Sequence, residues 1–92
     1  MSANELRREL ALEPPALLLS AVKPVENGDG LIVRVLNPTD GALPATVRVA
    51  FAVSAAQAVR LDEEPAADSV TLAADCVRFA VPAHALRSVL LR

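Results

Sequence analysis

The stretch LLLSAVKPVENGDGLIVRVLNPTD, Leu17–Asp40, decides the fold. It holds two apolar runs, Leu17–Val22 and Leu31–Leu36, and the segment between them carries two glycines. Glycine adopts positive φ without steric cost, and β-branched residues suit a pleated strand. The second run stops at Asn37-Pro38, where proline removes a backbone donor and blocks further strand pairing. The stretch therefore predicts a β-hairpin.

The rest of the chain repeats this arrangement of short apolar runs separated by turn residues. The further runs are Thr46–Val53, Gln57–Leu61, Ser69–Ala73, Cys76–Val81 and Ala85–Leu91. Most of them alternate, which predicts strands with one buried face. The residues predicted to face inward are Val47, Val49, Phe51, Val53, Val59, Leu61, Val70, Leu72, Val77, Phe79 and Val81. The last run does not alternate, and either a β-bulge or an apolar patch for a partner would account for it.

Seven short runs with a turn about every ten residues predict an all-β fold, a single antiparallel immunoglobulin-like β-sandwich over residues 17–92. Residues 1–16 are interpreted as a leader. Ser2 and Glu5 have capping-box spacing, so this leader is either a short helix ended by Pro14-Pro15 or a disordered segment. A chain of 92 residues is long enough for one domain with a thin core.

Charge and composition exclude several classes of partner. The net charge is −2, and the 9 basic and 11 acidic residues are scattered, so no basic surface for nucleic acid or an anionic membrane is expected. The single cysteine cannot form an intrachain disulfide, and no signal peptide is evident. We therefore expect a cytoplasmic protein. No apolar run reaches the roughly 18 residues of a membrane-spanning helix.

Residues that could carry chemistry are few, and each has a simpler interpretation. His84 is the only histidine and Cys76 the only cysteine, so neither a metal site nor a nucleophile pair is predicted. The carboxylates of Asp62–Glu64 are consecutive and precede a proline, which favours a strand end over acid–base catalysis. The segment Glu26–Gly30 lacks the remaining ligands of a calcium loop, so a plain turn is expected. We predict no catalytic residue, no metal ligand and no cofactor.

Aromatic residues are almost absent. The chain has no Trp and no Tyr, and its two phenylalanines, Phe51 and Phe79, fall on the inward parity. Sugar-binding modules commonly stack pyranose rings on exposed aromatic faces. Glycan binding by this chain alone would therefore need a polar cleft instead.

The opening stretch, together with VRLDEEP at Val59–Pro65 and VPAHALRSVLLR at residues 81–92, resembles a known family. The chain is similar over about residues 11–92 to the C-terminal β-sandwich domain of glycoside hydrolase family 38, the α-mannosidases. The most specific part of the match is a set of residues in one register: Lys23, Gly28, Asp29, Gly30, Arg34, Asn37 and Pro38. The closing strand matches less well, with Ser88 where the family often has Thr.

The resemblance implies a supporting role without catalysis. Members of the family are zinc-dependent retaining enzymes whose aspartate nucleophile and Asp and His ligands lie in the N-terminal catalytic region, and none of those motifs is present here. No catalytic or metal-binding role is therefore transferred to any residue of this chain. The expected partner is the catalytic region of an α-mannosidase-like glycosidase, in cis or in trans.

Five residues form the candidate docking set: Asp29, Arg34, Leu36, Asn37 and Leu90. Arg34 lies between apolar residues on the outer parity of its strand, where it could meet a carboxylate of a neighbouring domain. A solvated Arg34 whose stem covers those neighbours is the alternative. The side chain of Asn37 is expected to cap the strand end.

Three hypotheses for function follow. The first is a non-catalytic module that packs against and supports a glycosidase catalytic region. The second is a free-standing carbohydrate-binding module, and the third is a self-associating immunoglobulin-like interaction domain that buries its surplus apolar face in a homo-oligomer.

Overall fold

The computed structural model describes residues 7–25, 30–62 and 64–92 of the chain. These residues form two four-stranded antiparallel sheets that pack face to face. The strands are β1 (Leu10–Glu13), β2 (Leu18–Pro24), β3 (Leu31–Leu36), β4 (Leu43–Val49), β5 (Ala56–Val59), β6 (Val70–Ala73), β7 (Cys76–Val81) and β8 (Leu86–Leu91). Sheet I has the order β1-β4-β7-β6 and sheet II the order β2-β3-β8-β5. The predicted all-β antiparallel sandwich is confirmed, with eight strands in place of about seven.

The predicted hairpin is β2 and β3 of sheet II. The two strands pair antiparallel from Leu18 opposite Leu36 to Pro24 opposite Leu31, with a register shift between Leu19 and Ala21. Beyond the strands, the Val25 amide donates a hydrogen bond to the Gly30 carbonyl at 3.1 Å. Gly28 and Asp29 lie outside the described residues, so the predicted turn geometry there stays a prediction.

The core lies between the two sheets and is built mainly from valine. Its residues are Leu17, Val22, Leu31, Val33, Val35, Ala45, Val47, Val49, Val77, Phe79, Val81, Val89 and Leu91. The five residues predicted to face inward on β4 and β7 are all among them. Val70, Leu72, Phe51 and Val53 are only partly buried against this core. Branched side chains that alternate along each strand therefore fill the space between the sheets.

Strand β1 is a correction to the prediction for the leader. Residues 10–13 were expected to be helical or disordered, but they pair with β4, Leu10 opposite Val49 and Glu13 opposite Thr46. Four residues with two leucines do not distinguish a helix from a strand, and here the unpaired backbone of β4 decides. Ser2 and Glu5, on which the helix prediction depended, lie outside the described residues.

Two other strands differ from their predicted bounds. Strand β4 begins at Leu43 and ends at Val49, whereas Thr46–Val53 was predicted. Pro44 lies beyond the part of β4 that pairs with β1, where a missing backbone donor is tolerated. Strand β5 ends at Val59, and the side chain of Leu61, which was predicted to be inward, is 63% exposed.

Strand β8 explains why the last run lacks a simple alternation. It pairs in continuous register with β3 on one side and with β5 on the other, so the bulge that was considered for it is absent. Val89 and Leu91 enter the core, while Leu86 and Leu90 project from the opposite face of sheet II. The run is apolar on both faces, which is why its periodicity is obscured.

The two lateral strands of sheet II, β2 and β5, are both covered by other parts of the chain. The guanidinium of Arg7 donates to the carbonyl oxygens of Leu19 at 3.1 Å and Ser20 at 3.4 Å. On the other side, Pro65 forms a bridge with Val59, and the amide of residue 66 donates to the carbonyl of residue 58 at 2.9 Å. No helix in the described part of the chain is long and apolar enough to cross a membrane.

Candidate docking surface

The face of sheet II that points away from the core is the candidate functional surface, here called the outer face. Its residues follow from the cross-strand register, because partners across an antiparallel pair project to the same side. They are Leu18, Ala21 and Lys23 of β2; Ile32, Arg34 and Leu36 of β3; Leu86, Ser88 and Leu90 of β8; and Gln57 and Val59 of β5. More than half of these side chains are aliphatic, which is unusual for a face that does not contact the core.

The corresponding face of sheet I differs because it carries no large aliphatic side chain. Half of its residues are polar or charged, namely Glu13, Thr46, Arg48, Thr71 and Arg78, and the others are the small residues Ala11, Pro44, Ala73, Cys76 and Ala80. The guanidinium of Arg48 and the carboxylate of Glu13 form a surface ion pair at 3.0 Å. The outward face of sheet I therefore lacks the exposed leucines that the outward face of sheet II carries.

One end of the outer face is closed by the chain itself. Ile32, Val59 and Leu90 are 1%, 5% and 7% exposed, and they form a second apolar cluster that Val25 also contacts. The backbone of Gly30 lies directly against it: a Cβ at this position would lie 2.9 Å from a Leu90 methyl group. This end therefore stabilises the domain and offers little surface for a partner.

The other end of the outer face is open. Leu18, Leu36 and Leu86 lie side by side across β2, β3 and β8, and Leu18 and Leu86 are 51% and 39% exposed. The exposed side chain of Leu61 lines the same surface cavity of about 260 Å³ as Leu86, together with charged side chains. We call Leu18, Leu36, Leu61 and Leu86 the leucine row. Its members are exposed or half-buried leucines at the open end of the outer face.

Arg34 lies between the two ends of the outer face. Its Nε donates a hydrogen bond to Oγ of Ser88 at 3.1 Å, and the guanidinium is half-buried. No carboxylate in the described residues forms an ion pair with it. The nearby arginines differ in this respect, because Arg60 pairs with Asp62 at 3.3 Å and Arg87 with Asp68 at 3.2 Å.

The remaining members of the candidate docking set occupy different places. Leu36 is partly buried in the leucine row, and Leu90 belongs to the closed cluster. Asn37 is fully buried, so it can influence a docking surface only through the loop that it holds. Asp29 lies outside the described residues. Parity in the sequence thus placed Arg34 and Leu36 on one face, and the strand register adds Leu90 to that face. Leu18, Leu61 and Leu86 were missed.

Asn37 caps the end of β3, as the sequence predicted. Its Nδ2 donates to the carbonyl oxygens of Gly41 at 2.9 Å and Val81 at 3.0 Å. Its Oδ1 accepts from the amide of Thr39 at 2.9 Å and from the Thr39 hydroxyl at 2.7 Å. All of the side-chain atoms able to form hydrogen bonds are used, which makes this residue a structural clamp.

The residues that might have supplied chemistry have structural surroundings. The ring of His84 contacts Oδ1 of Asp40 at 2.7 Å on an exposed turn. The Sγ of Cys76 is buried beside Arg48, whose Nη1 lies 3.2 Å away. The hydrogen bond to Glu13, followed by the attraction of Cys76, raises the pKa of Arg48 above its ordinary value, so this side chain stays charged.

The side chain of Asp62 stabilises a turn. The Oδ1 of Asp62 accepts a hydrogen bond from the backbone amide of Glu64 at 3.1 Å, which closes the turn after β5. Across residues 7–25, 30–62 and 64–92, no group of three or more His, Cys, Asp or Glu side chains could hold a metal ion.

Comparison with known proteins gives a family. The family model described as "Glycosyl hydrolases family 38 C-terminal beta sandwich domain" matches residues 16–86, which is most of the chain. No curated protein and no solved structure matches the chain. The match begins one residue before the core leucine Leu17 and ends at Leu86 of β8. The chain belongs to the glycosyl hydrolase family 38 C-terminal β-sandwich domains.

Proposed function

We propose that the chain is a non-catalytic module that packs against a family 38 catalytic region and supports it, in cis or in trans. The observation that carries this proposal is the leucine row, which places exposed apolar side chains on the outer face of sheet II. Covering a half-exposed leucine contributes on the order of 1 kcal/mol to association, so several of them favour a stable contact. Family membership argues for the occupant, because a C-terminal domain of this family accompanies a catalytic region.

The support would be mechanical. A sandwich whose sheets share a tightly packed valine core is a rigid body, and a rigid body fixed to a catalytic region restricts the movement of the elements that it touches. The closed cluster keeps the outer face flat on one side, and the leucine row is left for contact on the other. Nothing in this role requires a nucleophile, a base or a metal ligand from the module.

Self-association remains the second candidate, because the leucine row could also meet its copy across a two-fold axis. Exposed leucines favour self-association as much as docking to a catalytic region. The two hypotheses therefore differ only in which molecule covers the leucine row. Glycan binding has less support from the structure. Phe79 is buried in the core and Phe51 is packed against it, so neither offers an open ring for stacking.

The experiment is a binding titration of the 92-residue chain against a family 38 α-mannosidase catalytic region from which its own C-terminal sandwich has been removed. We expect a one-to-one complex and a catalytic region with a higher melting temperature in the complex. No complex at any accessible concentration would contradict the proposal. Sedimentation of the chain alone serves as the control, since a dimer would instead support self-association.

Cis and trans arrangements can be separated by the size of the native polypeptide. An antibody raised against residues 17–65 is used to blot an extract of the source cells. A band much larger than this chain indicates that the module is joined to a catalytic region. A band of the size of this chain indicates that docking occurs between separate polypeptides.

A further inference from the structure

We propose that Arg34 is a carboxylate-binding site for the docked partner. In this arrangement the partner presents an aspartate or glutamate side chain to the outer face, and its two oxygens accept hydrogen bonds from Nη1 and Nη2 of Arg34. The inference depends on the proposed function, because the carboxylate belongs to the catalytic region that covers the leucine row.

The position of Arg34 suits such a contact. Strand β3 is an inner strand of sheet II, with β2 on one side and β8 on the other, so its side chain stands near the middle of the outer face. Ser88 is 3% exposed, and its Oγ accepts a hydrogen bond from Nε at 3.1 Å, which restrains the guanidinium. The residue opposite Arg34 on β2 is Ala21, whose side chain is small. With Nε engaged by Ser88, Nη1 and Nη2 are the nitrogens that can donate to the two oxygens of a carboxylate.

Docking would bury the charged guanidinium of Arg34, which then needs a hydrogen-bond acceptor of opposite charge. On this face Arg34 lies between Leu36 of the leucine row and Ile32 of the closed cluster, so a partner that covers the leucine row also removes water from the guanidinium. Arginine does not lose its proton in proteins, and a buried guanidinium without an acceptor is strongly unfavourable. Among the described residues no carboxylate forms an ion pair with Arg34, and Asp62 and Asp68 are already paired with Arg60 and Arg87. We therefore assign the acceptor to the partner, because a negative charge compensates the cation best.

The test uses the same titration against the catalytic region that lacks its own sandwich. Arg34→Met removes the charge and keeps an apolar stem of similar length, Arg34→Lys keeps the charge and loses the fork, and Arg78→Met is the matched control on sheet I. Arg78 is exposed at the middle of β7, so its replacement should leave affinity within about twofold. Thermal unfolding of each variant confirms that it is folded.

We expect Arg34→Met to weaken binding by at least about 30-fold and Arg34→Lys to recover part of that loss. The affinity of the wild-type chain should fall as NaCl is raised from about 0.05 M to about 0.5 M, and this salt dependence should be reduced in Arg34→Met. Binding of Arg34→Met within twofold of wild type overturns the inference. So does a loss of affinity with an unchanged salt dependence, because the acceptor would then be uncharged.

These outcomes separate the inference from the proposed function. If the wild-type chain binds and Arg34→Met binds equally well, the module docks without a carboxylate at Arg34. If the wild-type chain does not bind at all, both proposals fail. If Arg34→Met does not fold, Arg34→Lys decides: weaker binding supports the inference, because only the fork is lost, and binding within twofold of wild type overturns it.

Discussion

The Nδ2 of Asn37 donates a hydrogen bond to the carbonyl oxygen of Val81 at 3.0 Å. Asn37 follows the last residue of β3 in sheet II, and Val81 is the last residue of β7 in sheet I. This hydrogen bond therefore joins the two sheets at one end of the sandwich. The adjoining turn reinforces it, since the Asn37 amide donates to the Ala85 carbonyl at 2.9 Å.

The first prediction concerns this clamp. Asn37→Ala should lower the free energy of unfolding by about 3 kcal/mol, because it leaves buried carbonyl and amide groups without partners. Asn37→Asp should be worse at about pH 7, since it places a charged oxygen against two carbonyl oxygens. Part of that loss should return at about pH 4, where the new carboxyl group is largely protonated.

Urea titration of the variants measures these differences, and Thr71→Ala on the exposed strand β6 is the control. The sign of the pH effect follows from the raised pKa that burial gives the carboxyl group in the folded variant. The relative stability of Asn37→Asp is then highest below the unfolded pKa and falls as pH rises through the folded one. A stability difference from wild type that does not change with pH would contradict this account.

The second prediction compares two glycines. Gly30 has φ of +144°, and an added Cβ would lie 2.9 Å from Leu90 Cδ1 and 3.0 Å from the Leu91 carbonyl. Gly30→Ala should therefore destabilise the domain by roughly 2 kcal/mol or more. Gly41 has nothing within 4 Å of such an atom, so Gly41→Ala should change stability by less than about 1 kcal/mol. Equal effects in thermal unfolding would contradict the assignment of a close approach to Gly30 alone.

The third prediction separates the closed and open ends of the outer face. Ile32→Ala should cost about 3 kcal/mol, because Ile32 is 1% exposed and its truncation leaves a cavity in the second cluster. Leu86→Ala should cost less than about 1 kcal/mol, since Leu86 is already 39% exposed. Chemical denaturation gives both values. Similar costs for the two variants would mean that both ends are packed alike.

The fourth prediction tests the leucine row in binding. Leu18→Gln and Leu86→Gln together should weaken binding to the catalytic region by at least about tenfold. Both substitutions remove an apolar contact with the catalytic region from which water would be excluded. The unfolding midpoint should change little. The paired control is Thr71→Gln on sheet I, which should bind like the wild-type chain. If the control weakens binding and the leucine variants do not, the partner contacts sheet I.

Sequence patterns predicted the hairpin, the sandwich and most of the core, because the apolar runs are separated by clear turn residues and β7 alternates along its length. Parity also placed Arg34 and Leu36 on the face opposite the core. The prediction failed where tertiary pairing decides local structure. Strand β1 exists because β4 offers it unpaired backbone groups, and a run of two leucines does not encode that partner.

The leucine row could not be read from the sequence because its members come from separate places along the chain. Leu18 and Leu36 belong to the hairpin, whereas Leu61 follows β5 and Leu86 begins β8. Their adjacency depends on the strand order of sheet II, which alternation does not determine. Leu61 was assigned to the core together with Val59, because alternation does not show which face of β5 is inward, and the register places Val59 on the outer face.

The covering of β2 by Arg7 and of β5 by Pro65 has a consequence for behaviour at high concentration. A sheet that ends in bare backbone donors and acceptors can recruit further strands and grow into a fibre. Here Arg7 engages two carbonyl groups of β2, and residues 65 and 66 pair with β5, so fewer backbone groups remain for a further strand on either side of sheet II. We therefore expect the chain to resist strand-by-strand growth at these edges, even though the leucine row leaves apolar surface exposed on the same sheet.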